Sequence, residues 1–543
     1  MNKRFQKLSC CTVFLCIFHG IILSSAPAAE PATVRTEKIT IIGTGDLQGH
    51  LDAVPQILHI TESGKKIKIT GGISRIATLI RRIQQTTNNP VIVLSSGDDL
   101  MGPYFHQFHG KVIFGLMEES GYQILALGNH EFDNGPDVLA KALNSVDFPV
   151  LCSDLEVRGT SLEKSCQPYL IREYQGVRIG FFSLMTEDFS TITMTGKVKI
   201  RPDQDAAARD MVSLLKKKGA EVIIAVTHIG TSVDRTIAAR VPGIDIIFGG
   251  HSHNYMGRPE TVNNTLIVNG GKQGPALVRL DVCLDPKKHV VPASAIYSLI
   301  PVTEDITEDP TIKNHLAAYR KRLPAVEIIG RTRKPWFLNS EILRTRESGV
   351  ADMITDMIRS QFNVDIVLYN SGAFRGDTEY PPGPITSRML SAIDEFSSTV
   401  FLLSLQGKYL PEILEHSAAL IGQGGFLQVS GIQFTIDTAG TAQKLARDSN
   451  ENASYLIRRP GSRIKKILIL SPNGSWSPLD PERTYQVATN DFLTHNGNRY
   501  FWFKHYGRNI RNSYFTMADV IRKYLKRNRV ADPENPDGRI LIR

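Results

Sequence analysis

The stretch Gly128-Asn129-His130-Glu131-Phe132-Asp133 follows directly on the apolar run Ile124-Leu125-Ala126-Leu127, and it is the most specific pattern in the chain. A hydrophobic strand ending in Gly lets the backbone turn sharply. The Asn129 amide and the His130 imidazole then project from the strand's C-terminal edge, where α/β folds build their sites. Four other apolar runs end the same way. The run at 39–42 leads to Asp46, that at 91–94 to Gly97-Asp98, that at 222–226 to Thr227-His228, and that at 244–248 to Gly249-Gly250-His251-Ser252-His253. Five predicted strands therefore each deliver oxygen or nitrogen donors to one edge. Carboxylates, a carboxamide and imidazoles without a thiolate suit two borderline divalent ions. Asp98 is the natural bridge, since each carboxylate oxygen can take one ion and hold the pair about 3.5–4 Å apart.

These motifs resemble the calcineurin-like metallophosphoesterases, and among them the 5′-nucleotidase, UDP-sugar hydrolase and 2′,3′-cyclic phosphodiesterase group. In the N-terminal half the resemblance rests on Asp46, Gly71-Gly72-Ile73-Ser74-Arg75, Gly97-Asp98, Asn129-His130-Glu131, His228 and His251-Ser252-His253. In the C-terminal half it rests on Arg346-Glu347-Ser348, Asn370-Ser371-Gly372-Ala373-Phe374-Arg375, Phe426-Leu427-Gln428-Val429-Ser430-Gly431 and Ala488-Thr489-Asn490-Asp491-Phe492-Leu493. It implies an α/β fold: a calcineurin-like β-sandwich flanked by helices, followed by a second α/β domain of the 5′-nucleotidase C-terminal type.

The resemblance also implies two divalent ions (zinc, manganese or magnesium), one held by Asp46, Gln48, Asp98 and His253 and the other by Asp98, Asn129, His228 and His251. Water would attack phosphorus, with the pair His130 and Asp133 stabilising the charge that develops there or assisting the leaving oxygen. Arg375 matches the family's phosphate- or carboxylate-binding arginine, and Phe426 and Tyr500 match the two walls of its nucleobase clamp. The expected substrate is a small nucleotide or phosphate ester, not a nucleic acid polymer. Neighbouring readings are a cyclic nucleotide phosphodiesterase, a UDP-sugar pyrophosphatase, a thiosulfohydrolase, or a nucleotide binder that does not hydrolyse.

Three departures qualify the pattern. Gln48 stands where Asp-x-His is usual, which would shift preference from zinc toward manganese or magnesium, although His253 stands where some relatives carry Gln. Asn496-Gly497-Asn498-Arg499 replaces Gly-Gly-Asp-Gly before Tyr500, and the ribose-binding acid expected soon after is absent from residues 501–506. Asp394-Glu395-Phe396-Ser397-Ser398 replaces a Pro-Phe-Gly-Asn type of segment.

At 543 residues the chain exceeds one ordinary core, and 42% hydrophobic with 22% charged residues is globular composition. Residues 1–29 read as a secretory signal, with a basic start, a short apolar stretch and Ser24-Ser25-Ala26-Pro27-Ala28-Ala29, so a periplasmic or secreted protein without stable membrane insertion is expected. The terminal Gly538-Arg539-Ile540-Leu541-Ile542-Arg543 shows none of the apolar tail of a GPI signal. Part of the formal charge of +9 lies in Arg522, Lys523, Lys526, Arg527 and Arg529, which read as a solvated helix face. Export would permit one disulfide, with Cys152 and Cys166 the nearest pair, bridged or free. Asp309-Pro310 followed by Ile312, Leu316, Tyr319 and Leu323 predicts a capped amphipathic helix within 305–324. It would link a metal-bearing domain at 35–300 to a substrate-binding domain at 326–543.

Overall fold

The structure, a computed structural model, describes residues 37–53, 56–60, 65–447 and 455–543. The leader expected at 1–29 lies outside the described residues. The N-terminal half contains two six-stranded sheets. One runs in the order Ile296–Pro301, Ala276–Cys283, Lys38–Thr44, Val91–Ser95, Ile124–Ala126, Val150–Leu151. The other runs Glu260–Val262, Thr265–Asn269, Ile246–Gly249, Val222–His228, Val177–Met185, Leu170–Tyr174.

Side-chain alternation along the strands builds the layers. Ile39 and Ile41 point into a core shared with Val222, Ile224, Val226, Ile246 and Phe248 of the other sheet. Ile42 and Val93 point outward, onto the helices Ile73–Thr86 and Lys111–Glu119. On the far side Ile223, Ala225 and Ile247 meet the helices Gln204–Lys217 and Thr231–Arg240. Strands buried on both faces must be apolar at nearly every position, which explains why these five runs were legible as continuous hydrophobic segments. Lys38–Thr44, Val91–Ser95 and Ile124–Ala126 are mutually parallel, as are Val222–His228 and Ile246–Gly249, so within each sheet their C-terminal ends open toward one edge. The result is a helix-flanked β-sandwich.

Asp309 caps the helix Pro310–Arg320 by accepting the Ile312 N–H at 3.0 Å, and Ile312 and Leu316 bury against the N-terminal core. Beyond it, a five-stranded sheet runs Leu427–Ser430, Ile366–Asn370, Thr484–Asn490, Thr399–Gln406, Arg508–Thr516, with the helices Gly349–Phe362 and Met517–Asn528 packed on it. This half also holds a four-stranded sheet that includes Ile432–Ile436 and Ile540–Ile542. Cys152 and Cys166 are bridged, and Cys283 is a half-buried thiol. Among the described residues no helix is long and apolar enough to cross a membrane.

Candidate metal centre

The loops that leave these strands carry unusual backbone geometry. Asp46, Gln48, Asp98, His251 and His253 all have φ between 50° and 72°. Non-glycine residues occupy this left-handed region at a cost, and such strain persists only where surrounding structure enforces it. Two glycines show the crowding. A Cβ at Gly128 would lie 2.4 Å from Asp98 Oδ1, and one at Gly250 would lie 2.8 Å from Ser96 Oγ and 2.9 Å from His228 Nδ1.

At Asp98 the enforcement comes from Glu131, 1% exposed. Its Oε2 accepts the backbone N–H groups of Asp98 (2.8 Å) and Gly128 (2.7 Å), and its Oε1 those of Asp99 (2.7 Å) and Leu100 (3.1 Å). One carboxylate thus ties the loop after Val91–Ser95 to the loop after Ile124–Ala126. Asp98 Oδ1 in turn accepts the His130 N–H at 2.7 Å, and Asp46 accepts the His251 N–H at 3.2 and 3.0 Å.

The side chains converge. Donor atoms of Asp98, His228 and His251 all lie within 4.8 Å of one another. His253 Nε2 stands 3.3 Å from Asp46 Oδ1 and 3.2 Å from Gln48 Nε2. His228 Nδ1 lies 2.8 Å from the Ser96 carbonyl, to which it can only donate, so Nε2 faces Asp98 Oδ2 at 3.0 Å. Buried His228 Nε2 and Asn129 Oδ1 both lack an aligned hydrogen-bond partner. A histidine anchored through one nitrogen with the other presented inward is the arrangement found in metal ligands, and two orphaned buried donor atoms fit a cation. The donor set of oxygens and imidazoles therefore fits divalent metals. His50, by contrast, has its Nδ1 3.0 Å from the Gln48 carbonyl.

Electrostatics follow from packing these groups together. Burial opposes ionisation of Asp98, yet the neighbouring His228 and His130 pull its pKa well below the usual carboxylate range. Burial works against the charged imidazoles too, but Asp98, Asp46 and the Ser96 carbonyl together lift His228 to about 10, while Asp98 with Asp133 lifts His130 to about 9. Burial raises Asp46 to about 7, with His228 opposing. His251 falls to about 4 through burial and then the charge on His228. Carboxylates and imidazoles packed this closely set one another's protonation.

His130 Nδ1 lies 2.8 Å from Asp133 Oδ2, and Asp133 Oδ1 accepts the Thr193 hydroxyl at 3.0 Å, so this pair has a fixed orientation. The ring of Phe396 stacks on His130 with centroids 5.5 Å apart and planes 24° from parallel. The Arg375 guanidinium lies 5.4 Å from the Phe396 ring centre, bringing Arg375 to the same region. Its Nε donates to Glu395 Oε2 at 3.0 Å. Lys272, Arg375 and Arg344 add positive charge near His253, which together with burial holds its pKa far below the ordinary imidazole value.

The expected base clamp does not stand open. Phe426 and Tyr500 are both 0% exposed within one hydrophobic cluster. The Tyr500 hydroxyl donates to the Gly425 carbonyl at 2.8 Å, and its ring packs against His416, Trp502 and Phe503. The run 501–503 is wholly apolar and draws the tyrosine inward, so neither ring offers a free face. Arg499, in the atypical segment before Tyr500, pairs with Asp188 at 2.5 Å. Ser96, Lys272 and Arg344 are positioned at this site without having been singled out from sequence, and Glu131 and Phe396 were quoted within motifs without a role. The carbonyl of Ser96 and the three-dimensional neighbours of Glu131 leave no signature in residue order. Phe396 and Glu395 did, through the atypical segment that contains them.

Two family descriptions match the chain: calcineurin-like phosphoesterase over residues 39–255 and 5′-nucleotidase, C-terminal domain, over residues 328–505. A 5′-nucleotidase of Diplobatis ommata is 29% identical, the match covering 93% of this chain and 90% of that protein. The trifunctional nucleotide phosphoesterase protein YfkN of Bacillus subtilis is 28% identical over 86% of this chain, which spans only 32% of that longer protein. Among solved structures, a 5′-nucleotidase precursor from Thermus thermophilus superposes with a TM-score of 0.81 at 28% identity, covering 93% of this chain and 99% of its own.

Proposed function

Since this chain belongs to the calcineurin-like phosphoesterases that carry a 5′-nucleotidase C-terminal domain, hydrolases of phosphoric esters, we propose that it releases phosphate from nucleotides at a two-metal centre in an exported protein. The observation that carries the reading is His228, whose Nδ1 is committed to the Ser96 carbonyl while its Nε2 points at Asp98 Oδ2, 3.0 Å away, beside His251. Asp46, Gln48, Asp98 and His253 would hold one ion, and Asp98, Asn129, His228 and His251 the other. Bound there, divalent ions supply Lewis acidity toward phosphoryl oxygens and acidify a water.

The remaining work falls to the protein. His130, oriented by Asp133, places an imidazole nitrogen where charge grows on the phosphoryl group or the leaving oxygen. Phe396 stacks on one face of that imidazole. Lys272, Arg344 and Arg375 supply positive potential for the anionic substrate.

The burial of Phe426 and Tyr500 favours a second reading of the leaving group, in which a phosphate ester without a stacked base is the better substrate. One experiment separates the readings. The mature chain is stripped of metal, reloaded with zinc, manganese or magnesium, and assayed for phosphate release from AMP, ATP, UDP-glucose, cyclic nucleotides and glycerol phosphate. Rapid AMP hydrolysis supports the nucleotidase. Preference for glycerol phosphate supports the second reading, and no release from any ester with two ions bound refutes both.

A further inference from the structure

We infer that Glu395 sets how much negative charge the site accepts, by holding one edge of Arg375 and so disfavouring substrates with several anionic groups beyond the phosphoryl group transferred. The inference rests on the phosphohydrolase reading and concerns its specificity. Lys272, Arg375 and Arg344 all lie close enough to His253 for their charge to act on it. Lys272 is paired with Asp377, and Arg375 Nε donates to Glu395 Oε2 at 3.0 Å. Arg344 Nε is buried without a hydrogen-bond partner. Three cations against two carboxylates leave one net positive charge beside the metal centre.

The Glu395 pairing is built into the fold. Glu395 is 8% exposed and sits between two anchored neighbours. Asp394 Oδ2 accepts the Ala518 N–H at 2.8 Å, and Phe396 stacks on His130. The Arg375 backbone is fixed as well, its N–H donating to the Ile393 carbonyl at 2.9 Å. Arg375 Nη2 lies 3.8 Å from Met101 Sδ, a weak acceptor. The Nε–Nη2 fork, which would take a phosphate through two parallel hydrogen bonds, is therefore closed by Glu395 on one side and Met101 on the other. A desolvated carboxylate here also repels each added phosphate. At separations of several ångströms and an effective dielectric constant near 20, one such charge changes affinity roughly tenfold or more.

The test uses the full mature chain loaded with metal. Calorimetry measures binding of orthophosphate, pyrophosphate and tripolyphosphate to wild type, Glu395→Gln and Glu395→Asp, and kcat/KM is measured on a nucleoside monophosphate and triphosphate. In Glu395→Gln the tripolyphosphate-to-orthophosphate affinity ratio should rise about tenfold, the triphosphate-to-monophosphate kcat/KM ratio should follow, and Glu395→Asp should return both toward wild type. A ratio unchanged in Glu395→Gln, or an equal loss for every anion, overturns the inference and leaves Glu395 a structural role. Should the variant not fold, wild type alone is decisive: tripolyphosphate binding tenfold more tightly than pyrophosphate refutes it. Anion binding needs no turnover. A chain that hydrolyses no phosphate ester therefore sinks the phosphohydrolase reading without touching this measurement.

Discussion

Glu131→Gln should loosen the metal-bearing loops far more than its near-isosteric change suggests. In the native chain each Glu131 oxygen accepts two backbone N–H groups, at distances from 2.7 to 3.1 Å. Glutamine keeps one oxygen and turns the other into a donor. Two buried N–H groups then face an NH₂, and each unsatisfied buried donor costs about 1–3 kcal/mol. The two bonds that survive lose their charge assistance. Because the four donors share one group, the costs do not add fully, and about 4 kcal/mol of local destabilisation is a fair central figure. That corresponds to roughly a thousandfold rise in local opening, readable by native-state hydrogen exchange of the amides of Asp98, Asp99, Leu100 and Gly128. Metal content and kcat/KM should fall with it, since Asp98 is held at φ 56° by this network. Exchange rates at those four amides within threefold of wild type, with metal retained, would refute the assignment of Glu131 as the anchor of the loop geometry.

His130→Ala should lower kcat by about 10²–10⁴-fold with metal content preserved, and Asp133→Asn by a smaller factor, because Asp133 orients the ring without meeting the phosphoryl group; steady-state kinetics with metal analysis checks both. Asp154 offers a pH test away from the centre. Burial raises its pKa to about 7 although the Met185 N–H donates to it. Between about pH 4 and 7 the folded chain holds a proton there that the unfolded chain has lost, so this group's contribution to stability declines as pH rises, by about 1.4 kcal/mol per unit at most. Asp154→Asn should flatten the pH dependence of the thermal midpoint across that window, and an unchanged slope would dismiss the group. Reducing the Cys152–Cys166 bridge, which joins residues 14 apart, should cost about 2–3 kcal/mol, measured by denaturant unfolding with and without reductant.

The five strand-to-loop transitions were legible because strands covered on both faces must be nearly continuous apolar runs, and because ligand-type residues follow each run at once. The helix cap at Asp309-Pro310 was legible for a similarly local reason: N-cap and first-turn preferences act within four residues. The clamp was not. Phe426 and Tyr500 occupy recognisable motif positions, yet whether a ring lines a cleft or a core depends on what packs around it. Here the apolar 501–503 run and the Gly425 carbonyl draw Tyr500 inward.

Residue order was thus sufficient to propose the donors of the centre, Asp46, Gln48, Asp98, Asn129, His228, His251 and His253, since each lies within a few residues of a strand end. It could not say which groups hold those donors in place or balance their charge. Glu131 reaches back 33 residues to Asp98, His228 reaches 132 residues to the Ser96 carbonyl, and Arg375 meets Glu395 20 residues on, in a segment whose Phe396 stacks on His130. Hydrogen bonds and Coulomb interactions act over a few ångströms of space whatever the separation along the chain, so they exist only once the two sheets and the C-terminal half have come together.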